Sequence, residues 1–209
     1  MRKIKLFLVV ACVAMLAACN TKPVETEKEM KYENETIATI MERRSIRKYK
    51  PETVARETLE KIMECGINAP NGQNKQSWEV RVVDNPEVMA EINAVIAEAY
   101  GEKAEMAVGC FRGAPVMVFI ARDLAYDFSA YDCGLLAENI MLSAQSLGVG
   151  SICLGSPVRI INDSEACAPV LERLGFSEGY EFCLCVGLGY ADEAPEAKPR
   201  MKEKVRFVE

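Results

Sequence analysis

The chain has 209 residues, half of them hydrophobic, a formal net charge of −6 and no histidine. An acidic body disfavours nonspecific binding to nucleic acid, whose phosphates demand a basic surface, so no nucleic-acid partner is expected. The missing histidine excludes Ser-His-Asp and Cys-His catalysis, and the cysteine spacings match no zinc pattern, so no metal site is expected either.

Arg2, Lys3 and Lys5 precede an apolar run from Leu6 to Ala18. The run is shorter than the roughly 20 residues of a membrane-spanning helix, and it predicts a signal peptide. It ends Leu16-Ala17-Ala18-Cys19, which resembles a bacterial lipoprotein processing site. Residues 1–19 are therefore expected to be a signal peptide with lipid on Cys19. The protein would then sit in the cell envelope, anchored to a bacterial membrane and facing away from the cytoplasm. Residues 20–34 are polar and aperiodic, a flexible tether. Residues 35–209 suffice for one domain with a real core.

The first helix is predicted from Asn34 to Arg43, with Ile37, Ile40 and Met41 at helical spacing. A second runs from Thr53, a suitable N-cap, to Ile67, burying Leu59, Ile62, Met63 and Ile67. Ala69 to Asn74 is a loop of turn formers. Trp78 to Val83 alternates as a strand, Glu87 to Ala99 and Lys103 to Val108 read as helices, and Val116 to Ala121 is an apolar central strand. Ser129 to Gly148 is the longest helix, apolar almost all round, hence buried and a candidate to cross a dimer interface. Ser151 to Leu154 is a short strand, Gly155 to Pro157 a loop, Asp163 to Leu174 a helix and Glu181 to Leu188 an apolar strand. Val205 to Val208 could be an edge strand. It has no support within its own chain, so it is expected to pair with a partner subunit. The order gives an α+β fold, a mainly antiparallel sheet wrapped by helices, and no Gly-x-Gly-x-x-Gly follows the first strand.

Seven cysteines lie beyond Cys12 and Cys19: Cys65, Cys110, Cys133, Cys153, Cys167, Cys183 and Cys185. Most fall in apolar segments and are expected to be small buried hydrophobes. Cys183 and Cys185, two apart on a strand, should share a face yet stand too far apart along it for an easy disulfide.

Four groups could carry chemistry. Arg43, Arg44, Ser45 and Arg47, with Lys48, form either a phosphate site built on arginine forks or a solvated patch. Pro70, Asn71, Asn74 and Gln76 offer amides that suit the polar edge of a flat heterocycle, or make a plain turn. Gly148 to Gly155 allows close backbone approach to a ligand, or simply enters a strand. Lys198 and Arg200 are a second phosphate clamp or a charged tail. Asp123, Asp127 and Asp132 read as ordinary charges. With anion and heterocycle binding but few proton-transfer groups, no catalytic side chain is nominated, and a cofactor would do the chemistry.

These blocks resemble the FMN-dependent nitroreductase family from about Glu35 to Phe207. Arg43-Arg44-Ser45-Ile46-Arg47 is similar to its Arg-x-Ser-x-Arg signature, and Ala69 to Trp78 to its Ala-Pro-Ser-x-x-Asn-x-Gln-Pro-Trp loop. Asp132 through Gly150 looks like its central interface helix, and Lys198-Pro199-Arg200 like its basic tail. The resemblance implies FMN held at a homodimer interface, with the C-terminal segment exchanged between subunits. Arg43, Arg44, Ser45 and Arg47 would take the phosphate and ribityl chain, and Lys198 and Arg200 would close on the phosphate. Asn71 and Asn74 would approach from the partner subunit, Gln76 and Trp78 would shape the loop, and Cys153, Leu154 and Gly155 would lie beside the ring.

Three features depart from the pattern. Asn71 replaces serine and Ser77 proline; Glu138 stands where glutamine is common; and the stretch from Ala99 to Pro115, where relatives build a substrate lid, is short. The implied reaction is ping-pong hydride transfer from NAD(P)H to nitroaromatic, quinone or similar acceptors. Export strains that expectation, because nicotinamides are scarce outside the cytoplasm. The competing expectation is a lipid-anchored flavin-binding or assembly module with little or no turnover.

Overall fold

The computed structural model describes residues 31–209, so the expected signal peptide, the lipidated Cys19 and most of the tether lie outside the described residues. None of the described helices is long and apolar enough to cross a membrane.

Four strands, β1 (Trp78–Val83), β2 (Val116–Asp123), β3 (Gly150–Leu154) and β4 (Tyr180–Gly189), form one sheet in the order β1-β2-β4-β3. Every neighbouring pair is antiparallel, as the α+β reading requires. Val116 to Ala121 are all buried, which explains why β2 lacks polar alternation: both faces of this inner strand are covered.

Alternation along the strands divides the core in two. On one face α2 (Arg56–Ile67) and α5 (Ser129–Ser146) bring Leu59, Ile62, Leu136 and Ile140 against Val118, Ile120 and Val186. On the other, α3 (Pro86–Tyr100), α4 (Ala104–Val108), α6 (Ser156–Asn162) and α7 (Ala168–Leu174) cover Met117, Phe119, Phe182 and Cys185. The sheet is thus the middle of three layers. The short α1 (Glu35–Glu42) lies outside them with no buried residue, its start fixed by Asn34, whose Oδ1 accepts from Ile37 N at 3.0 Å.

Several expectations are corrected. α2 begins at Arg56 after an uncapped Ala55, not at Thr53; the chain just before it is extended and draws Val54 into the core. Its last apolar residue, Ile67, is half exposed, and the buried stripe is Leu59, Ile62 and Gly66. The expected helix from Asp163 to Leu174 is broken, because Pro169 cannot continue a helix already running and instead sits in the first turn of α7. The expected loop at Ser156-Pro157 is the start of α6, again with proline in the first turn. α5 is buried on one side only: Tyr131, Leu135 and Leu147 are exposed.

The expectation for Cys183 and Cys185 also fails. Ile120 pairs with Leu184 and Ala121 with Phe182, so Cys183 is an extra residue in β4. This β-bulge lets Cys183 and Leu184 both face the α2/α5 layer, while Cys185 joins the opposite core. The tail forms no strand in its own chain: after a short 3-10 turn at Lys202–Lys204, Val205, Phe207 and Val208 are 73–96% exposed.

Candidate functional site

The basic loop leaves the end of α1 and is strapped across the open ends of β3 and β4. Ile46 N donates to Ser151 O (2.9 Å), Lys50 N to Tyr190 O (2.9 Å) and Asp192 N to Lys48 O (2.9 Å). Tyr49 adds a hydrogen bond from its hydroxyl to Ile46 O (2.8 Å). Burial, followed by the nearby Glu193 carboxylate, pushes the Tyr49 phenol well above its ordinary value, so it remains a neutral donor. Gly150 lets the loop lie this close, since a Cβ there would stand 3.0 Å from Ile46 Cγ1 and 3.1 Å from Gly189 O. The strand-entry glycine therefore serves packing within the chain.

The arginines of this loop diverge. Arg43 points to α5, its Nε 3.7 Å from Glu138 Oε1. That Nε is buried and has no hydrogen-bond partner, and neither does the buried Ser151 Oγ on β3. Arg44 turns back on the end of α1, donating to the Met41 and Arg43 carbonyls (both 2.8 Å). It lines a cleft of about 370 Å³ with Ile46, Gln145, Val149 and Glu193. Arg47 is exposed; its Nη1 donates to Ser45 O (3.0 Å) and its backbone N to the Glu193 carboxylate. Ser45 forms a bridge with Ser151. Cys153, exposed near the end of β3, lies within the electrostatic reach of Glu138 and Arg43, with its thiol raised mainly by desolvation. Leu154 beside it is buried, and Gly155 is exposed with open space where a Cβ would be.

The amide loop is held at the other end of α5. Asp132, 3% exposed, accepts from Gly72 N (2.9 Å) and Ser77 Oγ (2.6 Å). Asn71 spends its side chain on the loop itself, accepting from Gln76 N (2.9 Å) and donating to Ala69 O (3.4 Å). Gln73, Asn74 and Gln76 all take positive φ, between 49° and 55°, and are exposed. Three left-handed non-glycine residues in four positions are costly, and such backbones persist where the surroundings over-determine them, as they do at ligand sites. Pro70 is exposed beside them.

The fold therefore gathers Arg43, Ser45 and Cys153 near the Glu138 stretch of α5, whereas the Leu154 side chain turns into the core on the opposite face of the sheet and Gly155 follows it. It sets Asn71, Asn74 and Gln76 roughly 9 Å along the axis of that helix, near Asp132. Lys198 and Arg200 lie exposed on the tail, where Arg200 Nη1 turns to the Lys198 carbonyl (3.0 Å); the tail meets the basic loop upstream, through Ala191, Asp192 and Glu193. Sequence reasoning overlooked Asp132 and Glu193 as organisers of the two loops. Asp132 was detectable: it lies four residues before Leu136, on the buried stripe of α5, where a carboxylate needs partners.

The arrangement suits a phosphate-bearing ligand. A buried guanidinium N–H in a loop rich in arginine, and a buried hydroxyl beside it on β3, both lack a hydrogen-bond partner and can donate to one.

The nitroreductase family model matches residues 40–190, and the chain belongs to this family. A nitroreductase with bound FMN from Desulfitobacterium hafniense is 36% identical and superposes with a TM-score of 0.75 over 85% of this chain and all of its own. A second with bound FMN, from Bacteroides fragilis, is 26% identical with a TM-score of 0.73, over 84% of this chain and all of its own. A Vibrio harveyi NADPH-flavin oxidoreductase is 31% identical over 82% of this chain and 72% of its own length.

Proposed function

We propose that this protein binds FMN and acts as an oxidoreductase, reducing nitroaromatics, quinones or similar acceptors at the expense of NAD(P)H. The observation that carries this reading is the buried Nε of Arg43, without a hydrogen-bond partner, in a loop with two further arginines, in a fold shared with relatives named as FMN-bound nitroreductases. When bound, FMN would supply the hydride-transfer chemistry between donor and acceptor.

The chain's own residues bind and orient. Arg43, Arg44, Ser45 and Arg47 hold the phosphate and ribityl chain by charge-assisted hydrogen bonds, with Lys198 and Arg200 of the tail adding positive charge. Pro70, Asn71, Asn74 and Gln76 present the amide loop to the ring, and Cys153 with the backbone of Leu154 and Gly155 forms its wall. No side chain of this set is a dedicated general acid. The protein works as a homodimer. The exposed side of α5 and the C-terminal segment cover the partner subunit, which brings the amide loop of one protomer to the arginines of the other. The body is exported and tethered through lipid on Cys19, so the physiological donor must reach the outer side of the membrane.

The purified protein should carry FMN. Arg43→Ala should weaken its binding by about 10- to 100-fold, the equivalent of losing roughly 1.5–3 kcal/mol of charge-assisted hydrogen bonding. A variant that keeps full flavin absorbance after dialysis would overturn the phosphate assignment. Anaerobic bleaching by NADH or NADPH, with recovery on adding a quinone, tests turnover; a flavin that no donor bleaches would leave a binding module.

A further inference from the structure

We infer that Cys133 and Cys183 form a dithiol pair that closes to a disulfide between α5 and β4, a modification site separate from the arginine and amide loops.

The β-bulge is the first support. Regular alternation would send residue 183 to one face and 184 to the other, but the extra residue turns both towards α5. There Cys183 packs against the cluster that holds Cys133, and the two thiols are near enough to perturb one another. Cys133 is 1% exposed, packed under α5 with its Sγ 3.7 Å from Ala121 O, beside the strand position where the bulge occurs. Cys183 is only half-buried, so one thiol of the pair can be reached and the other can resolve. Bringing two neighbouring sulfurs to the roughly 2 Å of a disulfide asks for side-chain movement.

The charges divide the roles. The neighbouring Cys183 thiol, reinforced by burial, raises the Cys133 thiol well above its ordinary value. Against the pull of burial and of the Glu181 carboxylate, Cys133 in turn lowers Cys183 below its ordinary value, and the Arg122 guanidinium contributes in the same sense. Arg122 is fixed next to it by its Nε and Nη2 bonds to Glu181 Oε2 (2.9 and 2.6 Å). Cys183 is thus the attacking sulfur, since the thiolate is the nucleophile.

The oxidant is a low-molecular-weight disulfide. The Cys183 thiolate attacks one of its sulfurs, its S–S bond breaks, and the first thiol leaves after taking a proton. Cys133 then attacks Cys183 Sγ and expels the second thiol, which carries away the Cys133 proton. Two protein thiols are oxidised to one disulfide, and one small disulfide is reduced to two thiols.

The test uses the full chain equilibrated with mixtures of reduced and oxidised glutathione, quenched by alkylation and mapped by peptide mass spectrometry. The expected product is a cross-linked pair of peptides containing Cys133 and Cys183, lighter by two hydrogens and reversed by dithiothreitol. Cys133→Ser should trap glutathione on Cys183, and if that variant folds poorly, Cys133→Ala should trap it equally. Recovery of both cysteines as free thiols after equilibration with a large excess of oxidised glutathione would overturn the proposal. So would glutathione remaining on Cys183 in the unsubstituted protein, or preferential pairing of Cys183 with any other cysteine.

Discussion

A buried carboxylate ties the amide loop to the body of the protein. Asp132 satisfies a backbone N–H at Gly72 and a hydroxyl at Ser77, which is itself 1% exposed. Asp132→Ala leaves both donors without a partner in a place water hardly reaches. It should cost about 2–4 kcal/mol, seen as a lower urea midpoint, whereas Asp132→Asn, which keeps an acceptor for Gly72 N, should lose less than half of that. If Asp132→Ala unfolded with an unchanged midpoint, the loop would have another anchor. At this scale the sequence revealed residue types better than residue partners. The arginines and amides were legible because their chemistry is local. Asp132 and Glu193 were not, because their importance comes from groups 60 and 146 positions away along the chain.

Between elements, the tightest helix contact rests on a missing side chain. A Cβ on Gly66 of α2 would stand 2.6 Å from Ile140 Cγ1 and 3.2 Å from Ile140 Cδ1 of α5, and Ile140 is fully buried and has nowhere to turn. Two effects oppose each other in Gly66→Ala. Alanine gains about 1 kcal/mol of helix propensity, while overpacking costs about 1–3 kcal/mol. The variant should therefore be less stable by about 1 kcal/mol in chemical denaturation; a gain in stability would mean that α2 and α5 can slide apart freely. Element types followed from periodicity along most of the chain. The misses have physical causes: Pro157 and Pro169 open helices where the pattern suggested a loop and a helix interior, and one inserted residue in β4 reversed the facing of a cysteine.

At the scale of the molecule, the apolar surface is unevenly spent. Phe128, Tyr131, Leu135 and Leu147 lie exposed around α5, and Val205, Phe207 and Val208 lie exposed at the tail. The proposed dimer gives both sets something to cover. Each large apolar side chain taken out of water contributes about 1.5–3 kcal/mol, so removal of residues 202–209 should weaken the dimer by tenfold or more. Light scattering across a dilution series would measure this, and equal dissociation of the full and shortened chains would remove the tail from the interface. The antiparallel sheet wrapped by helices was readable from the order of elements. The exposure of one side of α5 was not, because an all-apolar helix gives no hint of which face its own chain leaves bare.

The bulge in β4 has a genetic corollary. With Cys183 gone, Phe182, Leu184, Cys185 and Val186 would fall into regular alternation, each still facing the core it now occupies. Loss of Leu184 would do the same, with Cys183 taking its place, whereas loss of a codon elsewhere in the central part of the strand would turn its hydrophobic neighbours towards the wrong layer. In a scan of single-codon deletions from 180 to 189, positions 183 and 184 should stand out from the rest of the strand's centre as those whose loss still yields soluble protein, an inherited allowance for shortening in the middle of an otherwise unforgiving strand.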